Sequence, residues 1–348
     1  MNWEQRILRD TDLPGDFGDR YRSGLADRIS ALMAHQKAHW PLLREGYKAL
    51  ALVVSKRIPL GNYEIFAQFN PRRMGSTAAQ IDRASIESRP CFLCAENLPA
   101  EEKGVAFGED WVVLCNPFPI LDTHLSIVHR RHIPQAIAGK FESLLDLTKE
   151  LGGTYFVSYN GPKCGASAPD HLHYQACSRL GLPVDGHLRA IETRAMGRSS
   201  KLLVTETPEL ELFTLSNYHI RLLVYRSCDR DAIAGWVYRT LEYLRKLTSY
   251  DREPLINLTA VYDSPAWTVC LFPRAKHRPA CYYAEGEDRL TISPASIDLA
   301  GFLVLPIEEH FQRIGASEAQ KLFAEVTLSP RVFADLLTEL RKASGTSG

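Results

Sequence analysis

Residues 169–178 read PDHLHYQACS. Two histidines and a glutamine stand at alternate positions in a stretch whose other members are mostly apolar or small. In a β-strand successive side chains point to opposite faces, so His171, His173 and Gln175 share one face while Leu172, Tyr174 and Ala176 share the other. The first face is then available for chemistry and the second for packing. The two imidazoles stand about 6.6 Å apart at Cβ, from the ~3.3 Å rise per residue.

Two roles are open to such a pair. Both histidines bind one metal ion, as in a cupin, or one binds a metal while the other serves as nucleophile or base. A cupin usually adds a glutamate a few residues downstream, but YQACSRLG follows here without an acid, which disfavours that arrangement. Immediately upstream, YNGPKCGASAPD (159–170) concentrates small and turn-forming residues between two strand-like runs. Backbone N–H groups and the Ser167 hydroxyl could approach an anion closely there. The alternative is a tight connection that needs Gly165 for its geometry alone.

Further out, DWVVLC and HLSIVH read as strands and GKFESLLDLTKELG as a helix with Phe141, Leu144, Leu145 and Leu151 on one side. TYFVSYN and HLHYQACS read as strands again, and the pattern is a mostly antiparallel sheet with packed helices, an α+β fold. HRRHIPQAIAG (129–139) is echoed by YRSCDRDAIAG (225–235), each after a strand-like run and before an amphipathic helix, the second using Val237, Leu241 and Leu244. Element order therefore points to duplication, with halves at 1–200 and 201–348. Cys228 stands where His132 does, and no His-x-His follows in the second copy, so one half carries the reactive groups and the other completes or supports the site. Ahead of this, residues 20–56 have helical spacing, YEIFAQF (63–69) is strand-like and NPRRMGSTAAQID is loop-like.

The 348 residues allow about two domains. Lys plus Arg and Asp plus Glu are both 41, so no overall field attracts nucleic acid or a membrane surface, and any anion must be recognised locally. The start MNWEQRILRD lacks the apolar run of a secretory signal, and LAGFLVLPI (299–307) is far short of the ~20 residues that span a bilayer, which suggests a cytoplasmic protein. Eight cysteines without a signal suggest reduced thiols, some of them metal ligands. The tail KASGTSG reads as disordered. CFLC (91–94) supplies two thiolates on one turn, a common first half of a zinc site; ordinary cysteines or a redox pair are the alternatives. His124, His129 and His132 cluster within nine residues, the first two defaulting to structural roles.

These residues resemble the histidine triad superfamily, in the branch of galactose-1-phosphate uridylyltransferase, diadenosine tetraphosphate phosphorylase and the GDP-hexose phosphorylases. HLHYQ matches that branch's His-x-His-x-Gln, and LCNPFPILDTHLSIVHRRHIPQ is similar to its asparagine and aromatic turn with the strand that follows. Weaker likeness extends to AQFNPRR, WTVCLFPRAKHRP and SIDLAGFLVLP. The resemblance implies two histidine-triad-like half-barrels in one chain and double displacement. His173 would attack the α-phosphorus of a nucleoside diphosphate hexose, phosphate capturing the nucleotidyl enzyme. Cleavage of a dinucleoside polyphosphate or transfer to a hexose 1-phosphate is the alternative, and a silent nucleotide-binding protein is a third reading.

By the same resemblance Gln175 and Ser167, with the backbone at Gly165, steady the phosphoryl oxygens, and Asn160 touches phosphate. The loop's glycine and serine sit one residue farther from the histidines than in the uridylyltransferases. Asn116 and Phe118 meet the nucleoside, and Arg72, Arg73, Arg274 and Lys276, with Arg278, are the cations that would meet phosphates. A structural zinc is implied on Cys91, Cys94, His132 and His171. The iron site of some uridylyltransferases is not expected, and a homodimer is compatible with the resemblance.

Overall fold

The structure is a computed structural model that describes residues 2–13, 24–193, 200–250 and 252–343, the side chain of Arg83 excepted. Its strands are β1 (Val54–Leu60), β2 (Tyr63–Phe69), β3 (Gly104–Phe107), β4 (Trp111–Cys115), β5 (His124–His129), β6 (Tyr155–Asn160) and β7 (His173–Ser178). They continue as β8 (Lys201–Glu206), β9 (Glu211–Leu215), β10 (Leu223–Ser227), β11 (Ile256–Asp263), β12 (Ala266–Pro273) and β13 (Phe302–Leu305). Ten form one sheet in the order β3-β4-β5-β7-β6-β11-β12-β10-β9-β8. Every neighbouring pair in it is antiparallel.

The order reads the same from either end once β3 is matched with β8. A helix, Phe141–Leu151, follows β5, and a helix, Arg230–Thr248, follows β10, so the duplication read from AIAG is a duplication of topology. The halves join where β6 pairs with β11, Asn160 opposite Asn257. Asp229 starts the second helix by accepting from the N–H groups of Asp231 and Ala232, a cap stabilising by about 1 kcal/mol. Both helices bury their apolar stripes, Leu144 and Leu145 in one and Ile233 and Val237 in the other, against the face of the sheet that carries Ile127, Tyr174, Tyr225 and Leu258. Leu172, Tyr174 and Ala176, the packing face of the opening motif, are buried in that core.

A second sheet, β1-β2-β13, belongs to the other apolar core through Ile58, Ile65 and Leu303. β13 runs parallel to β2, so LAGFLVLPI holds a buried strand. Helices Leu25–His39 and Pro41–Leu50 answer the spacing at 20–56, residues 20–23 lying outside the described residues. The helical expectation fails at its end, because Val54–Leu60 is a strand. Ile58 and Leu60 are buried and Pro59 between them is exposed, a period of two, and Pro59 is tolerated because β1 lies at the sheet edge. NPRRMGSTAAQID, expected to be loop, contains short helical turns at Pro71–Arg73 and Met74–Thr77. Most of the tail lies outside the described residues.

Candidate active site and metal centre

β7 begins at His173, so His173 and Gln175 alternate on a true strand while His171 stands in the bend just before it. His173 is 5% exposed, and its Nδ1 lies 2.8 Å from the His171 carbonyl oxygen. That oxygen can only accept, so Nδ1 carries the proton and Nε2 keeps its lone pair. Burial lowers the pKa of the ring and so favours the neutral imidazole. Gln135 fixes the strand on both sides of the ring: its Oε1 accepts from the His173 N–H at 2.8 Å, and its Nε2 donates to the carbonyls of His173 (3.0 Å) and Asn160 (2.8 Å). Gln135 stood inside the quoted HRRHIPQ without any spacing to mark it.

Asn160, at the end of β6, is buried with its Oδ1 accepting from Asn257 Nδ2 (2.7 Å) and from the Ser296 N–H (2.8 Å). The carbonyl end of its amide is thereby held by the second half. Asn160 lines a narrow recess with Gly165, Ser167, Gln175 and Arg73. Gly165 has φ +94°, and a Cβ there would stand 2.6 Å from the Ala295 Cβ. Conformation and close approach therefore both require glycine. Gly165→Ala is expected to cost about 1–3 kcal/mol in thermal unfolding, and Ala295→Gly in the same chain to recover part of it; equal stability with and without the second change would refute the contact.

The recess opens into a cavity of about 880 Å³, a size suited to a small organic ligand. His173, Gln175, Ser167, Asn116, Phe118, Arg72 and Arg73 all line it. The Phe118 N–H donates to Asn116 Oδ1 at 2.9 Å, and Arg73 donates to the Phe118 carbonyl at 2.9 Å, which fixes the turn after β4. Phe118 itself is partly exposed into the cavity.

Three expected phosphate contacts need correction. Arg274 is 2% exposed and its guanidinium makes five hydrogen bonds, to Val326 O, Asn257 Oδ1, Pro294 O, Lys276 O and His277 O. No N–H is left for a phosphate. Its work is behind the site, holding Asn257, which in turn holds Asn160 and the Cys164 carbonyl. Lys276 pairs with Glu325 at 2.8 Å on the surface and does not line the cavity. Arg278 is also a brace, donating to Ser293 and to the carbonyls of Thr77 and Ala79. Their basic charge suggested anions; burial and backbone carbonyls gave them partners instead.

Cys91, Cys94, His132 and His171 bring four donor atoms within 4.8 Å of one another. A zinc tetrahedron has ligand–ligand edges of roughly 3.3–3.8 Å. Cys91 Sγ and His171 Nδ1 are 3.3 Å apart and Cys94 Sγ and His132 Nδ1 3.2 Å, so the cluster fits such an ion. His171 Nε2 donates to the His129 carbonyl at 2.7 Å, which leaves Nδ1 as the ligating nitrogen. Burial pushes the Cys94 thiol up to about 12 and lowers His171 to about 4; a bound cation favours the thiolate and the free imidazole. His124 and His129 are fully buried, His124 Nδ1 accepting from the Ile120 N–H.

Fold and site together define a two-half α+β protein in which His173, Gln175 and the Cys2His2 cluster all lie in the first half. A family model described as "Domain of unknown function (DUF4922)" matches residues 32–178, and one described as "GDPGP1-like, C-terminal domain" matches residues 196–346. No curated protein matches the sequence. Among solved structures, yeast Ap4A phosphorylase Apa2 aligns with a TM-score of 0.52 at 16% identity, over 82% of this chain and 93% of that one. The same phosphorylase in complex with Ap4A gives 0.52 at 15% identity, over 82% and 96%. A uridylyltransferase mutant aligns at 13% identity over 73% and 94%, with a TM-score of 0.41. The chain therefore shares the fold of the yeast phosphorylase, with a second half like that of the GDPGP1-like model. Among the described residues no helix is long and apolar enough to cross a membrane.

Proposed function

We propose that this protein transfers a nucleotidyl group by double displacement through His173, and that its reaction is phosphorolysis of a nucleoside diphosphate hexose. The observation that carries the reading is the 2.8 Å bond from His173 Nδ1–H to the His171 carbonyl, which leaves Nε2 as the nucleophilic atom of a residue lining the cavity. Nε2 attacks the α-phosphorus, an N–P bond forms, and the bond from α-phosphorus to the bridging oxygen breaks. Hexose 1-phosphate leaves with that electron pair. Inorganic phosphate then attacks the same phosphorus, the N–P bond breaks, and nucleoside diphosphate departs from a regenerated neutral His173.

Gln175, Ser167 and the Asn160 amide donate to the phosphoryl oxygens, whose charge grows in the transition state. Arg72 and Arg73 meet the phosphates that flank the reacting one, and Asn116 and Phe118 hold the nucleoside. One structural zinc on Cys91, Cys94, His132 and His171 anchors the chain just before the nucleophile. The likeness to a phosphorylase in complex with Ap4A keeps dinucleoside polyphosphates as the second reading.

The test offers the full chain nucleoside diphosphate hexoses and dinucleoside tetraphosphates in turn, each with and without phosphate. Intact mass is expected to show one acid-labile nucleotidyl adduct per chain with a nucleoside diphosphate hexose. Added phosphate should discharge it as nucleoside diphosphate. An adduct formed only from dinucleoside polyphosphates would select the second reading, discharge only by hexose 1-phosphate would select transfer, and no adduct with any donor would refute catalysis.

A further inference from the structure

The ladder between β6 and β7 stops short of the nucleophile. The two strands pair from Tyr155 opposite Ser178 as far as Ser158 opposite Gln175. Two residues on, the same register would bring Asn160 opposite His173, and there the side chain of Gln135 stands between the backbones. Its Oε1 accepts the His173 N–H and its Nε2 donates to the carbonyls of both residues. One carboxamide thus replaces the rung that two antiparallel strands would form by themselves. Gln135 is a wedge that parts the strands where His173 faces the cavity.

Both halves of the chain hold the wedge. The segment that carries Gln135 is tied to the bend before β7 by the Leu172 N–H on the Ile133 carbonyl (2.7 Å) and the Gln135 N–H on the Pro169 carbonyl (3.1 Å). Its other tie is to Glu253, in the second half just before β11, whose Oε2 accepts the Ile137 N–H at 2.6 Å. Glu253 Oε1 accepts from the Tyr159 hydroxyl, also at 2.6 Å, and Tyr159 precedes Asn160 on β6. One carboxyl group therefore grips both the wedge and one of the two strands it parts. Gln135, Ile137, Tyr159 and Glu253 all stand off the cavity and its recess, and none of them lines either.

We propose that Glu253 is a positioning residue for the transfer reaction: it clamps the Gln135 segment against β6 and so sets the direction of His173, from the half that carries no His-x-His. This rests on the nucleotidyl-transfer reading above. An imidazole that attacks phosphorus in line loses about a hundredfold in rate for a displacement of about 1 Å. Without Glu253 the Ile137 N–H and the Tyr159 hydroxyl lose their acceptor, and the wedge is free to slide. Asn160 and His173 can then close the rung themselves, and the ring turns with its backbone. The other residues that line the cavity keep their places, so the effect falls on the chemical step and spares binding.

Steady-state kinetics and amide hydrogen exchange on the full chain test the clamp together. The substrates are phosphate and a nucleoside diphosphate hexose, or a dinucleoside tetraphosphate if only that forms the adduct. Glu253→Ala is expected to lower kcat about ten- to a hundredfold with KM within about threefold of wild type. Glu253→Gln should recover most of the loss, because its amide keeps an oxygen for the Ile137 N–H and a donor for the Tyr159 oxygen. Gln135→Ala should lose at least as much as Glu253→Ala, and the double variant no more than Gln135→Ala, since one residue acts through the other. Without substrate, the Ile137 and His173 amides should quicken in Glu253→Ala by at least about tenfold more than those of Val269 and Leu271 in β12. Glu253→Asp, shorter by one methylene, should show the same pattern more weakly and serves if the alanine variant misfolds. Losses that multiply in the double variant, an unchanged kcat, or exchange that quickens equally in β12 would overturn the proposal. A wild type that forms no nucleotidyl adduct would instead sink the function proposed above, and the exchange pattern would then decide the clamp by itself.

Discussion

His173→Ala is expected to lower turnover by about four orders of magnitude or more while nucleotide affinity changes by no more than a few-fold. The loss is large because the proposed route has no second nucleophile: without Nε2 there is no N–P bond, and direct attack by phosphate must replace two easier steps with one hard one. Affinity is expected to survive because the other groups lining the cavity remain. Stability should change little, since the ring's hydrogen bond is to a backbone carbonyl that water could satisfy. Pre-steady-state mass measurements and equilibrium titration on one preparation separate the two effects. A variant that kept a tenth of the wild-type rate, or still formed an adduct, would show that another group attacks.

Cys91→Ser with Cys94→Ser is expected to reduce bound zinc from about one per chain to nearly none, and to cost about 3–5 kcal/mol or more of stability. The cluster ties together the turn at Cys91, the segment after β5 and the bend before β7, which lie far apart in sequence. Asn97 donates to the Cys91 carbonyl at 2.8 Å, so losing the ion also loosens that turn. Because the His171 carbonyl is the acceptor that sets the His173 tautomer, turnover should fall as well, although no ligand touches substrate in the proposed mechanism. Elemental analysis and thermal unfolding read the two parts separately. Full zinc retained by the double variant would refute the ligand set, and zinc lost without any fall in melting temperature would refute its structural role.

Much of this was legible in the sequence because period-two alternation and short identities are local signals. The packing face Leu172, Tyr174 and Ala176 followed from alternation, and AIAG with its flanking strand and helix announced the two matched halves. The Cys-x-x-Cys pair announced a metal but not its partners; those came from resemblance, and the fold brings the same four residues together. Charge alone misled. Arg274 and Lys276 looked like phosphate ligands, yet what decides their roles is which carbonyls and carboxylates surround them. Gln135 and Asn257 had no such signal. Their importance comes from pairings across tens of residues or more and from burial, neither of which leaves a mark on spacing.

The pairing of Asn160 with Asn257 at the seam between β6 and β11 bears on how such a chain can change over generations. A duplicated segment without the His-x-His of its twin would ordinarily be free to drift. Here Asn257, steadied by Arg274, holds the carbonyl end of an amide that lines the recess with Gln175, close to the proposed nucleophile. A substitution in the silent copy is therefore felt as a defect of the working one, and the two descend as one hereditary unit.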